Sequence, residues 1–123
     1  MKTIQIKVKN KNSDYAVIIG SNILNILPGK IKKLCPKARK VGIVIDKNNP
    51  NKYKIKIKKI LKRYQVHTFQ YTANEKLKSF SKVNELTEEC LSKNFNRVDV
   101  LIAVGGGVIG DFTAFVASIT KRG

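Results

Sequence analysis

The sequence predicts an α/β fold: a mostly parallel sheet with flanking helices and an N-terminal β-hairpin. Three observations predict it. Residues 41–45 (VGIVI) and 99–104 (DVLIAV) are short unbroken apolar runs, the pattern of parallel strands covered on both faces. Residues 53–64, 81–94 and 108–120 place apolar side chains at helical spacing, so strands and helices alternate as in βαβ units. The chain has 123 residues, 42% of them hydrophobic, which suits a single domain with a core of its own.

The elements follow in order. Residues 3–9 alternate Ile4, Ile6 and Val8 with Gln5, Lys7 and Lys9, as a half-buried strand does. A polar cluster at 10–14 turns the chain, and 15–19 form the second strand of a hairpin. Ser21 is placed to cap a short helix over 22–27 that Pro28-Gly29 stops. Residues 30–35 form another, with Ile31, Leu34 and Cys35 on one face. The 41–45 strand ends at Asp46, and a polar loop leads to a basic helix at 53–64 with Ile57, Ile60, Leu61 and Tyr64 inward. Residues 65–71 are a strand and 72–79 a polar loop. The 81–94 helix then turns Val83, Leu86, Cys90 and Leu91 to the core. The last strand, 99–104, runs into Gly105-Gly106-Gly107 and a helix from about Val108 to Thr120.

Residues 100–120 are long enough to cross a bilayer. Three glycines and Asp111 near the centre favour a strand, turn and helix instead, since a central Asp costs about 2.5–3.5 kcal/mol there. The start, alternating Lys with apolar residues, lacks the apolar stretch of a signal peptide.

The composition narrows the function. The net charge is +17, from 25 Lys+Arg against 8 Asp+Glu. Of the basic residues 21 are Lys and only 4 are Arg (Arg39, Arg63, Arg97, Arg122), spread along the chain. Base-edge and phosphate forks favour Arg, so solvated surface lysine is preferred to a basic nucleic-acid-binding module. Cys35 and Cys90 are far apart with no C-x-x-C, which excludes a disulfide framework or zinc ribbon and suits a reducing compartment; both read as core thiols. A single His67 excludes a multi-histidine metal site and leaves no Ser–His–Asp set.

The sharpest signal is Gly105-Gly106-Gly107-Val108-Ile109-Gly110, a G-x-G-x-x-G between a buried strand and a helix. Glycines let backbone approach a pyrophosphate closely, and the helix start offers unpaired N–H groups and the positive end of the dipole. The ordinary dinucleotide fingerprint is not met in full: the turn is not in the first βαβ unit, and no acid follows about 20 residues on. Asp46, ending a parallel strand, is a better ribose partner or else a simple turn residue. The loop Ala73, Asn74, Glu75, Lys76, Leu77 and Lys78 follows a strand and can reach the same edge, although spacing alone favours a solvated loop. Asp111, in the first helical turn, is either a favourable dipole charge or a carboxylate beside the nucleotide's sugar or base.

Residues 103–123, AVGGGVIGDFTAFVASITKRG, resemble the 3-dehydroquinate synthases, sugar-phosphate cyclases of the shikimate pathway. The resemblance extends upstream to E-x-x-K-S at Glu75, Lys78 and Ser79 and to a strand end at Asp46 and Asn48. It implies a Rossmann-like, incomplete NAD-binding domain over 1–123, with the helical domain for metal and substrate outside these residues. NAD would be held by Asp46, Asn48, the loop from Ala73 to Lys78, and the turn from Gly105 through Val108, Ile109 and Gly110 to Asp111. Arg122 would reach across a homodimer to the neighbouring substrate, and no catalytic residue or metal ligand falls in this chain. The family has a D/P-G-E loop where this chain has Ala73-Asn74-Glu75, a change that Asn tolerates by taking positive φ.

The implied activity is a cytoplasmic phosphate-eliminating lyase of aromatic amino acid and chorismate biosynthesis. It converts 3-deoxy-D-arabino-heptulosonate 7-phosphate to 3-dehydroquinate and phosphate, with NAD and a divalent metal, zinc or cobalt. NAD transiently oxidises a ring hydroxyl, which acidifies the neighbouring carbon before phosphate leaves. The 123 residues alone are expected to be inactive and to bind NAD weakly. The alternatives are a related sugar-phosphate cyclase, an NAD-dependent glycerol or alcohol dehydrogenase of the same superfamily, and the nucleic-acid module.

Overall fold

A computed structural model describes residues 4–9 and 14–120. β1 (Ile4–Lys9) pairs antiparallel with β2 (Asp14–Ile19), Ile4 opposite Ile19 and Ile6 opposite Val17, so the hairpin forms. Its turn at 10–13 lies outside the described residues. β3 (Lys40–Asp46), β4 (Gln65–Tyr71) and β5 (Val100–Val104) form a separate parallel sheet in the order β4-β3-β5. The unbroken apolar run has the expected cause. From Val41 to Ile45 every residue of β3 is buried, because both faces of this central strand are covered.

On one face Val41, Ile43 and Ile45 pack with Ile31, Ile57 and Leu61. On the other Val44 and Phe69 pack with Leu86, Cys90, Ile109, Phe112 and Val116. Gly42 is in β3 because the second face leaves no room: a Cβ there would stand 2.6 Å from Leu101 Cδ2.

The helices on the first face depart from the sequence expectation. Asn22 takes a left-handed φ of 56°, so the helical path starts late, as a 3-10 turn over Leu24–Ile26 capped by Ile23. It runs directly into α1 (Leu27–Leu34). Pro28-Gly29 therefore opens a helix and does not stop one: Pro28 occupies the first turn, where a missing N–H costs nothing. Ile31 is buried and Cys35 packs beside it, but Leu34 is 75% exposed and leaves the expected face. α2 (Asn51–Ile60) starts before the predicted residue 53 and ends at a cap where the Leu61 N–H donates to the Ile57 carbonyl. Ile57 and Leu61 are its buried anchors.

The opposite face carries α3 (Phe80–Ser92) and α4 (Gly107–Thr120). Ser79 caps α3, its Oγ accepting the Lys82 N–H at 3.3 Å. Val83, Leu86 and Cys90 point inward as predicted, whereas Leu91 is exposed and Thr87 takes the fourth buried place. The Thr87 hydroxyl is affordable there because it donates to the Val83 carbonyl at 2.8 Å. The span weighed as a membrane crossing divides into β5 and α4, and among the described residues no helix is long and apolar enough to cross a membrane.

This topology creates a crevice. The chain leaves β3 through α2 on one face and reaches β4. It then crosses to β5 on the far side of β3 and leaves through α4 on the other face. Connections diverge at the carboxyl ends of β3 and β5, the switch point at which open α/β sheets bind ligands.

Candidate functional site

The residues singled out in the sequence gather around that switch point. Asp46 closes β3, half-buried, with Oδ1 accepting the Asn48 N–H at 3.0 Å. Asn49, which sequence reasoning passed over, bridges the crevice: its Nδ2 donates to the Val104 carbonyl at the end of β5, 3.0 Å away. The only signal for it was its place in the polar loop after the strand.

Gly105 follows with φ +155°, and a Cβ there would lie 3.1 Å from Ile109 Cβ and 3.4 Å from Asp46 Cβ. Strand end, turn and helix start are thus in contact at a position that excludes a side chain. Gly106, Gly107 and Gly110 differ, since an added Cβ would meet nothing within 4 Å. The space over the start of α4 is open, as an approaching phosphate requires.

α4 begins at Gly107, one residue before the predicted start, so Asp111 lies beyond the first turn and is not the first-turn dipole charge expected. It is exposed and lines a cleft of about 350 Å³ with Lys78, Phe80, Val83, Phe112 and Phe115. Lys78 belongs to a 3-10 turn, Glu75–Lys78, that packs against α3 and α4. The loop and Asp111 do converge, therefore, across the cleft mouth. Phe80, 85% exposed, and Phe115, 50% exposed, form walls that the sequence reading missed; a Phe at the first position of an amphipathic helix gave no signal by itself.

Not every named residue offers its side chain. Leu77 and Ile109 are core residues, with 3% and 0% exposure, so each has only backbone to present. Val108 packs partly against the same core, and Ala73 does likewise. Asn74, Glu75 and Lys76 are exposed, and Asn74 is extended at φ −145°, so the left-handed conformation invoked for it is not needed. Arg122 lies outside the described residues.

The remaining ionisable candidates are quiet. Burial, aided by Glu89, pushes the Cys90 thiol up to about 11, which keeps it protonated and unreactive at neutral pH. Burial also lowers the His67 pKa, with Lys93 and Lys40 acting in the same direction, which favours the neutral form of the ring that meets Phe95 edge-on at 5.5 Å. Among the described residues no group of three His, Cys, Asp or Glu is arranged to hold a metal ion.

With this geometry in place, the comparisons show what the chain is similar to. Residues 68–123 match the family model described as 3-dehydroquinate synthase N-terminal. The chain is 39% identical over all of its 123 residues to 3-dehydroquinate synthase of Pelagibacter ubique (strain HTCC1062), of which it covers 33%. The chain is thus similar to the 3-dehydroquinate synthases. It corresponds to the N-terminal part of those larger enzymes, spanning about a third of the length of the curated relatives it matches. The synthase of Shouchella clausii (strain KSM-K16) is 36% identical over 96% of the chain and is covered to 32%.

Solved structures agree on the fold. A crystal structure of 2-deoxy-scyllo-inosose synthase superimposes with a TM-score of 0.83 at 21% identity, over 98% of this chain and 34% of that one. A second, complexed with carbaglucose-6-phosphate, NAD+ and Co2+, gives 0.84 at 21% identity, over 98% of this chain and 32% of that one.

Proposed function

We propose that this chain is the NAD-binding part of a 3-dehydroquinate synthase, which converts 3-deoxy-D-arabino-heptulosonate 7-phosphate to 3-dehydroquinate and phosphate. The observation that carries the proposal is that the synthase-like stretch, Gly105 to Asp111, opens α4 at the switch point beside Asp46. The turn fits a dinucleotide because Gly106 and Gly107 leave open space where a side chain would exclude a pyrophosphate.

Within that reading the chain's own residues divide the work. Backbone N–H groups at the start of α4 receive the pyrophosphate. Asp46 accepts from a ribose hydroxyl through Oδ2, since Oδ1 is engaged by Asn48. Lys78 and Asp111 hold the sides of the nicotinamide end, with Phe80 and Phe115 limiting water access to the cleft. NAD supplies a reversible hydride acceptor for a substrate hydroxyl. Among the described residues no donor set fits the divalent metal, whose ligands, in this reading, lie in the rest of the larger enzyme. Arg122 contributes to a neighbouring protomer's substrate site in a cytoplasmic homodimer.

Titration of the chain with NAD+, followed by backbone amide NMR, tests the assignment. Weak, saturable shifts are expected at Asp46, Asn48, Glu75 to Lys78 and Gly105 to Asp111. Absence of shifts at that sheet edge would remove the cofactor reading. Phosphate release from the heptulosonate phosphate by these 123 residues with NAD and zinc would refute the placement of the metal chemistry elsewhere.

A further inference from the structure

The amino-terminal edge of the parallel sheet carries a second cleft. It lies where α1 has ended and the chain enters β3 at Arg39, beside the turn that leads from α2 into β4. Its volume is about 420 Å³, and Lys32, Arg39, Arg63, Tyr64 and Gln65 supply its polar lining. Two of the four arginines in a chain whose basic residues are otherwise lysine meet at this one place. Lysines scattered over a surface need no explanation, but two guanidinium groups and an ammonium around a single cleft concentrate positive charge.

Among the described residues no carboxylate forms an ion pair with it. Residues 15–45 and 47–74 contain no Asp or Glu, and none of the three cations is ion-paired among the described residues. Asp99 grips the Arg39 main-chain N–H at 3.2 Å, but it is buried and also accepts from Lys40 and Asn96 at 3.0 Å. Its carboxylate is committed to the fold.

The backbone at the cleft is fixed as well. The Gln65 N–H donates to the Arg39 carbonyl at 2.9 Å, and the Tyr64 N–H to the Leu61 carbonyl at 2.9 Å. The two arginines are thereby carried on adjoining strand entries that do not need to reorganise to meet a ligand.

We propose that this cleft binds a phosphate dianion, as inorganic phosphate or as the phosphate of a phosphomonoester. Guanidinium forks match tetrahedral oxyanions with paired N–H···O bonds, and an ammonium beside them adds a third charge-assisted contact. The cleft is independent of the NAD reading: the length of β3, roughly 20 Å at about 3.3 Å per residue, separates the two sheet edges.

The test is amide NMR of the 123-residue chain titrated with inorganic phosphate, with chloride at matched ionic strength as control and glucose 6-phosphate as a second arm. Saturable shifts at Lys32, Arg39 and Arg63 to Gln65 are expected with phosphate and not with chloride. Equal affinity for the two phosphates identifies the phosphate group as the whole ligand; tighter binding of the sugar phosphate identifies a phosphomonoester. Arg39→Gln with Arg63→Gln should weaken binding about tenfold or more, the loss expected for two charge-assisted contacts. Lys58→Gln, on the exposed side of α2, should leave it unchanged. Equal losses in both variants, or non-saturating shifts spread over the α2 lysines, would overturn the site in favour of diffuse charge. A single-stranded oligonucleotide binding more tightly than phosphate, with that spread footprint, would overturn it too.

Discussion

The two ends of the parallel sheet use the same side chain for opposite purposes. At the amino end Asp99 is 5% exposed and accepts three backbone N–H groups, from Arg39, Lys40 and Asn96. It joins the starts of β3 and β5. At the carboxyl end Asp46 is half-buried and accepts one N–H, from Asn48, so one carboxylate oxygen is left over. An aspartate whose acceptor capacity is filled by its own chain serves the fold. One with acceptor capacity to spare, beside a glycine turn, can serve a ligand.

Removing Asp99 breaks this comparison most severely. Asp99→Ala leaves three N–H donors without their acceptor and should lower stability by about 3 kcal/mol, read from urea unfolding. Asp46→Ala should cost under about 1 kcal/mol, because its partner Asn48 is exposed and water can replace the carboxylate.

The pH dependence separates the two further. Burial alone would raise the Asp99 pKa, but the N–H groups of Lys40, Asn96 and Arg39, with the Lys40 charge, outweigh it and hold it below the ordinary value. Its folded pKa is thus lower than its unfolded one, near 3.9 for a free aspartate. The stabilisation is complete above that unfolded value and is lost as pH falls through the folded one. Asp99→Asn should remove this part of the acid limb. An unfolding free energy with the same slope below pH of about 4 in both proteins would show that Asp99 does not contribute it.

The glycine turn sharpens the contrast on a smaller scale. Gly105→Ala forces a side chain into φ +155° and against Ile109 Cβ at 3.1 Å, with an expected loss of about 1–3 kcal/mol. Gly106→Ala enters open space and should change stability by under about 1 kcal/mol, yet place a methyl group where a pyrophosphate would approach. Calorimetry of NAD+ binding alongside thermal unfolding distinguishes the two. A Gly106→Ala protein that binds NAD+ normally would move the phosphate away from this turn.

Much of this architecture is legible in the sequence, for a physical reason. Val41 to Ile45 is a strand buried on both faces, and such a strand carries its signal in composition alone; Val100 to Val104 has the same apolar run but is only part-buried, with Ala103 exposed, because β5 ends the described sheet and has β3 on one side only. Helix boundaries on the α1 side were not legible. Pro28-Gly29 has the same letters whether it ends one helix or begins another, and the left-handed turn at Asn22 decides between them. Leu91 and Thr87 show the limit of periodicity: they lie one turn apart on the same side of α3, yet Leu91 is exposed while Thr87, whose hydroxyl bonds the preceding turn, is buried. In the site, the glycine turn and Asp111 are readable because their spacing is local, whereas the loop carrying Lys78, 33 positions before Asp111, is reached only through the resemblance. Asp99 and Asn49 are not readable, because their partners lie 60 and 55 positions away in sequence and meet only through the sheet.

Asp46 gives the smallest and most discriminating effect. Among the described residues its side chain makes one hydrogen bond, through Oδ1, so any contribution to NAD affinity comes through the other oxygen to a ribose hydroxyl. A hydrogen bond to a charged acceptor contributes about 1.5–3 kcal/mol when fully shielded, and less at a half-exposed strand end. Asp46→Asn keeps the size and one carbonyl oxygen while removing the charge, so it should weaken NAD+ binding about fivefold at most while leaving the unfolding midpoint in place. A loss of affinity together with a lower midpoint would make Asp46 another Asp99, a residue of the fold, and the difference between the two sheet ends would collapse. Loss of affinity alone ties the spare oxygen to the ligand. Unchanged affinity would leave the nucleotide to the glycine turn after β5 and to Asn48, with no contribution from the Asp46 carboxylate.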